Sequence, residues 1–351
     1  MTATAVRARP APGPASQSVR RRSVARSTGV ALALAVAVFV AFCVSISVGD
    51  FPIPLTDVVP AIFGVGSEDA EFIVRTLRLP RALTGMLVGA SFAVSGAIFQ
   101  SLARNPLASP DIIGIDAGAS AAAVFCIVVL HTTAGVTALG ALGGALLTAL
   151  AIYLMSWKGG ASPYRLVLIG VGMAALMTSI TQYLLTRAEI FEAQRAVVWL
   201  TGSLNGRGWE HVRSIGFADL VLLPLLLSLV GPLRALQLGD DAAKGLGVRV
   251  ERSRLLLVLV AVALAALATA AAGPVIFVAF VSAPIARRLA RAPLAVGTAA
   301  LVGALLMLLS DLVARRLFAP TELPVGVVTG VVGAPYLLWL LARANRVGRG
   351  G

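Results

Sequence analysis

Long apolar runs alternate along this chain with short polar or basic breaks. Runs of about twenty apolar residues lie near 29–49, 82–103, 112–130, 135–156 and 165–186. Four more follow near 214–232, 254–272, 295–314 and 323–342. Each is long enough to cross a hydrocarbon layer ~30 Å thick as an α-helix. A tenth run, near 275–288, holds only about fourteen residues between Pro274 and Arg287. A helix that short cannot cross alone, so its neighbours must shelter it or it must be partly re-entrant. The pattern therefore predicts an all-α, polytopic membrane protein with about ten transmembrane helices. Residues 1–28 are rich in Ala, Pro, Ser and Arg without hydrophobic periodicity, and read as a disordered basic tail. Residues 29–343 read as the ten-helix domain and 344–351 as a second short tail. A cleaved signal peptide would have a shorter core and a small-residue cleavage site, so the first run reads as a retained helix.

Composition agrees with this reading. The chain has 351 residues, 58% of them apolar, with a mean hydropathy of +0.92. Its net charge of +13 raises nucleic acid as a partner, but no basic face carries interleaved aromatics. The basic residues instead flank the apolar runs, as in the positive-inside pattern. Placing the Arg20–Arg22 cluster with Arg104, Lys158, Arg165, Arg234, Lys244 and Arg287 gathers most of the 29 Lys and Arg residues on one side. That orientation makes both termini cytoplasmic. Cys43 and Cys126 lie inside apolar runs and read as packing residues rather than as a disulfide or metal site.

Several chemistries are disfavoured. No GxxxxGK[ST] occurs, so any ATP chemistry must come from another subunit. His131 and His211 stand in outer-loop regions without HExxH or GxSxG context, which argues against an intramembrane enzyme. An ion-coupled secondary transporter would need ionisable residues near mid-membrane, and the runs hold few. No catalytic residue, cofactor or metal site is expected.

The segment Arg78–Ala119 carries the most specific signal. Arg78-Leu79-Pro80-Arg81 precedes the second run, with proline suited to the first turn of a helix. Arg75, Arg78 and Arg81 recur at intervals of three, and a helix would align them roughly on one side. They read either as arginines snorkelling at the lipid interface or as a cationic platform for an acidic protein surface. Within the run, Gly85, Gly89, Ala93 and Ala97 recur every four residues, a spacing that lets helix backbones approach closely. Arg104-Asn105-Pro106-Leu107-Ala108-Ser109-Pro110 then breaks the helix. Such backbone at membrane depth is tolerated inside protein or against a water-filled cavity; an ordinary tight inner loop would also explain it.

Further along, Leu238-Gly239-Asp240-Asp241-Ala242-Ala243-Lys244-Gly245-Leu246-Gly247-Val248 lies in the longest inner loop. It reads as a short amphipathic helix, acidic at its start and stopped by Gly245 and Gly247, either solvated or docked into a partner. Asp311 and Arg315 stand four apart and can pair on a helix. Glu322-Leu323-Pro324-Val325-Gly326 opens the last run.

In this order, these blocks closely resemble the permease family of iron-siderophore and cobalamin ABC importers, over about residues 70–342. The resemblance implies two permease subunits around a central pathway in the bacterial cell membrane, two cytoplasmic ABC ATPases, and an extracytoplasmic siderophore-binding protein. It implies that Arg78, Arg81 and Arg315 meet acidic residues of that binding protein. Asn105 and Leu107 would stand at the cytoplasmic gate. Gly239, Asp240, Asp241, Ala242, Leu246 and Gly247 would belong to the coupling helix that contacts the ATPase. The fifth and last runs would line the pathway. The implied function is ATP-driven uptake of iron(III)-siderophore complexes, with cobalamin or haem as the rival cargo. The chain departs from the family pattern at Ala283-Pro284, where many members carry Pro-His, at Asp116, and at Pro163-Tyr164.

Overall fold

A computed structural model describes residues 14–49, 51, 53–157 and 163–347. The first thirteen residues, Lys158 and residues 348–351, which belong to the expected tails and inner loops, lie outside the described residues. Helices follow one another as α1 (Pro14–Ser47), α2 (Leu55–Ile62), α3 (Glu68–Phe72), α4 (Leu79–Ala103), α5 (Ile115–Val128), α6 (Ala134–Ser156) and α7 (Pro163–Arg187). Then come α8 (Ile190–Leu200), α9 (Trp209–Gln237), α10 (Asp240–Gly245), α11 (Val250–Ala272), α12 (Val278–Ala290), α13 (Val296–Arg316) and α14 (Val325–Val347). A π-helical stretch, Ile73–Arg78, joins α3 to α4.

Each of the ten runs corresponds to a helix, but their ends differ from the expectation in three places. α1 starts at Pro14, so it takes in residues 14–28, where a disordered tail was expected; Ala and Arg, frequent there, are good helix formers. The second crossing does not begin near residue 82. It runs unbroken from Glu68 to Ala103, because the π-turn carries the backbone through Arg75 and Arg78 without a break. The third is shorter than the apolar run from 112 to 130, since Gly114 takes a left-handed conformation (φ 91°) and α5 begins only at Ile115. Among the described residues, seven helices are long and apolar enough to cross a membrane.

Two of the shorter ones, α5 with 14 residues and α12 with 13, rise only about 20 Å at 1.5 Å per residue. The irregular segments 104–114 and 273–277 lead into them. Helix α12 occupies the expected short run, and it is sheltered: Val278–Pro284 are all buried.

Helix α4 is the centre of the bundle and packs against α9, α11, α12 and α13. From Ser91 to Leu102 every residue is buried. Three of the four polar side chains on this stretch hydrogen-bond to neighbouring helices, and Ser101 Oγ is buried without a hydrogen-bond partner among the described residues. Ser91 Oγ donates to Asp219 of α9 (2.8 Å), Ser95 Oγ to the Ala261 carbonyl of α11 (2.7 Å), and Gln100 Nε2 to the Phe280 carbonyl of α12 (2.9 Å). The small-residue stripe does what its spacing suggested. A Cβ on Gly89 would meet the Gly303 carbonyl and Met307 of α13, and one on Gly303 would meet the Gly89 carbonyl, so the two backbones touch. Gly96 lies equally close to Ala279 of α12. Helices α5, α6 and α7 form a second group, joined to the first through α11.

Candidate functional site

Functional side chains gather at the two ends of α4. At one end, the π-turn delivers Arg78 to the C-terminus of α1, where the last carbonyls of a helix lack partners. Arg78 Nη1 donates to the carbonyls of Ile46 (2.8 Å) and Ser47 (2.9 Å), and Nη2 to that of Phe51. Arg315, in the last turn of α13, reaches the same place and donates to Ser45 Oγ (2.7 Å) and to the carbonyls of Ser45 (3.2 Å) and Val48 (3.4 Å). Arg316 donates to the Gly49 carbonyl.

Arg81, in the first turn of α4, joins an ion-pair chain that is buried at Asp311 and exposed at Glu322. Its Nη2 lies 3.0 Å from Asp311 Oδ1, and its Nη1 lies 3.0 Å from Glu322 Oε2. Asp311 also faces Arg315, with Nε and Oδ2 3.0 Å apart, so the local pair expected from the spacing forms. Asp311 is thus held between two guanidiniums, and Glu322 balances the second. The three arginines named from the sequence line one cavity of about 550 Å³, together with Arg207, Arg316 and Glu322. The snorkelling picture does not describe Arg78, which is 8% exposed and bonded to backbone carbonyls.

Arg207 is the residue that sequence reading passed over. It lies in the 201–208 loop between α8 and α9, a Gly-rich stretch outside every apolar run. Its Nε donates to the Ser203 carbonyl (3.2 Å) and its Nη1 lies 3.1 Å from His211 Nε2. Burial pushes the Arg207 guanidinium below its ordinary pKa, with Glu210 opposing the shift. The cue in the sequence was an arginine among glycines, Asn205-Gly206-Arg207-Gly208, in a loop between two spans.

At the other end, Arg104 closes α4 in the left-handed region (φ 50°), and Asn105 N–H returns to the Gln100 carbonyl (3.2 Å). Asn105 Oδ1 accepts from the Leu107 N–H at 2.9 Å, an Asx turn that sets the direction of the break. Arg287 of α12 donates to Gln100 Oε1, which clamps the short helix to α4. Arg288 lies over the Trp339 ring of α14, 4.4 Å from its centroid. Next to this break stands the loop between α9 and α11: a Cβ on Gly239 would lie 3.6 Å from Arg104 Nη1.

Helix α10 has the predicted extent, with Gly239 (φ 107°) before it and Gly247 (φ 81°) after it. Arg254 of α11 fixes its start through Asp240 at 2.7 Å. Ala243 is buried, while Asp241, Ala242, Leu246 and Gly247 are exposed, as is Leu238. Gly239 of the coupling segment thus lies beside Arg104, the residue before Asn105.

The profile of the FecCD transport family matches residues 33–343. The chain belongs to the FecCD transport family. It is 43% identical to the achromobactin transport system permease protein of Dickeya dadantii, over 85% of this chain and 87% of the relative. It is 42% identical to the ferric enterobactin transport system permease protein of Escherichia coli strain K12, over 85% and 91%. A cobalamin import system permease of Halobacterium salinarum is 34% identical, over 85% and 81%. Among solved structures, a metal-chelate type ABC transporter in an inward-facing conformation superposes with a TM-score of 0.80. It is 28% identical, and the match covers 90% of this chain and 99% of that one.

Membership explains the multi-pass helical architecture. Pro284 is buried within α12, and Tyr164 is exposed near the start of α7. Asp116 is buried, and Thr269 Oγ1 of α11 donates to it at 2.9 Å.

Proposed function

We infer that this chain is the non-catalytic permease subunit of an ABC importer that carries iron(III)-siderophore complexes across the bacterial cell membrane. The family match over residues 33–343, with relatives above 40% identity named for achromobactin and ferric enterobactin transport, supports this reading most strongly. In the proposed orientation both termini are cytoplasmic, the arginine end of α4 faces outward and the Asn105 end faces inward. Arg78, Arg81 and Arg315 shape the surface that receives the acidic face of a binding protein. Their hydrogen bonds to α1 and to Asp311 hold that surface rigid before docking, so little side-chain entropy is lost on contact. Asn105 and Leu107 guard the inner end of the pathway. The exposed face of α10, with Leu238 and Leu246 on either side, docks into a cytoplasmic ATPase, and a second permease subunit completes the pathway.

Motion of the ATPases is then felt first at Gly239 and Arg104, where coupling loop and gate adjoin. ATP binding and hydrolysis bias two arrangements of the helices around the pathway, which is alternating access. The match to a cobalamin permease keeps cobalamin, and with it haem, as the second reading. The deciding measurement is ATP-dependent uptake into vesicles carrying the full importer and its binding protein, with ferric siderophores, cobalamin and haem compared. Uptake of cobalamin or haem alone would overturn the iron-chelate reading, and ATP-independent, proton-driven uptake would overturn the importer reading.

A further inference from the structure

Arg207 stands on the wall between two cavities at the arginine end of the bundle. One is the cavity of about 550 Å³ that the docking arginines line. The other, of about 870 Å³, lies beyond Asn205 and Gly206 and is walled by Phe191, Val198 and Trp199. Its volume lies within the range of small-molecule sites. Three charged residues line this larger space, and two of them are already neutralised. Arg195 pairs with Glu192 at 3.1 Å, and Glu322 pairs with Arg81 at 3.0 Å. Among the described residues Arg207 forms no ion pair with a carboxylate; its recorded partners are a carbonyl and an imidazole.

The loop that carries it is rigidly placed. Ser203 N–H donates to the Ala272 carbonyl (2.8 Å), Gly326 N–H to the Gly202 carbonyl (3.2 Å), and Gly202 packs against Pro274. A fixed guanidinium without a bonded carboxylate, set beside aromatic walls, recognises a ligand that joins negative charge to flat apolar surface.

We propose that the larger cavity is a receiving site for anionic ferric chelates, those liganded by catecholate or carboxylate oxygens, and that Arg207 selects their charge. This rests on the importer reading above and adds a substrate class and a specificity residue to it. A chelate released from the docked binding protein would pass from the smaller cavity to the larger one along Arg207.

The test uses proteoliposomes holding the whole importer and its binding protein. Iron-55 uptake is measured for a ferric triscatecholate, ferric dicitrate and a neutral ferric trishydroxamate, with wild type, Arg207→Gln and Arg207→Lys. Wild type is expected to take up an anionic chelate. Arg207→Gln should raise KM for it about tenfold, with kcat within about twofold and with unchanged affinity for the binding protein. Arg207→Lys should retain most of the uptake. A merely structural arginine would depress every chelate alike, and that result overturns the proposal, as does a loss confined to binding-protein affinity. Wild-type uptake restricted to the neutral chelate overturns it too, while leaving the importer reading intact. Failure of wild type to take up any chelate would instead remove the importer reading on which the proposal rests.

Discussion

Asp311→Asn removes the charge that holds the arginine end together. In the folded chain Asp311 is 2% exposed, and the side chains of Arg81 and Arg315 on either side are 12% and 10% exposed. Each contact is 3.0 Å long. At an effective dielectric near 20, a pair at that distance has a gross attraction of ~5.5 kcal/mol, most of which offsets the cost of desolvating the ions. Removing one partner is different, because the desolvation cost of the stranded charges remains. The wild-type chain has two guanidiniums, Arg81 and Arg315, against two carboxylates, Asp311 and Glu322; the variant has two against one. The expected loss is about 3 kcal/mol of unfolding free energy. Arg81→Gln in the same chain restores one cation to one anion, so the double variant should recover about 1–3 kcal/mol relative to additivity.

Unfolding the purified protein in mixed micelles by SDS titration, read by helical circular dichroism, measures both quantities. A loss below about 1 kcal/mol, or strict additivity of the two changes, would show that these groups are solvated and only loosely paired.

Four further outcomes follow from the same geometry. Arg78→Gln leaves the carbonyls of Ile46, Ser47 and Phe51 without their cation and should cost about 2–4 kcal/mol in the same titration; an unchanged midpoint would return Arg78 to a surface role. Gly96→Leu places a side chain against the Ala279 backbone and should abolish the monodisperse peak in size-exclusion chromatography. Gly143→Ala, with open space around it, should be neutral or slightly stabilising. Leu246→Asp should reduce co-purified ATPase at least about tenfold without moving the unfolding midpoint, since Leu246 is exposed; equal recovery would place the coupling contact elsewhere.

The helical class and the order of the ten apolar runs were legible along the chain, because lipid demands about twenty apolar residues per full crossing and no local rearrangement can hide them. The shortness of the crossing after Pro274 was legible for the same reason. That of α5 was not, since the residues from Ile112 to Gly114 are apolar whether they coil or wind, and the left-handed Gly114 is a matter of backbone fit. Helices α2 and α8 were missed because segments of eight and eleven residues outside the apolar runs give little periodic signal. The extent of α10 was legible because glycines bracket it.

At the site, sequence motifs and family likeness named Arg78, Arg81 and Arg315, and spacing alone paired Asp311 with Arg315. What those arginines bind could not be read, because their partners lie far off in the chain: Ile46 is 32 residues from Arg78, and Asp311 is 230 from Arg81. Arg207 was invisible for the opposite reason. Its neighbourhood is polar and glycine-rich like any loop, and its importance comes from lining two cavities built by distant elements. Hydrophobicity and turn chemistry are local properties, so composition along the chain set the membrane class, the positions of the apolar helices and the breaks at Asn105 and Gly239. Charge compensation and cavity shape are sums over elements brought together by packing. Which arginines pair with carboxylates, and which loop lies beside the Arg104 break, therefore emerged only once the helices had closed around α4.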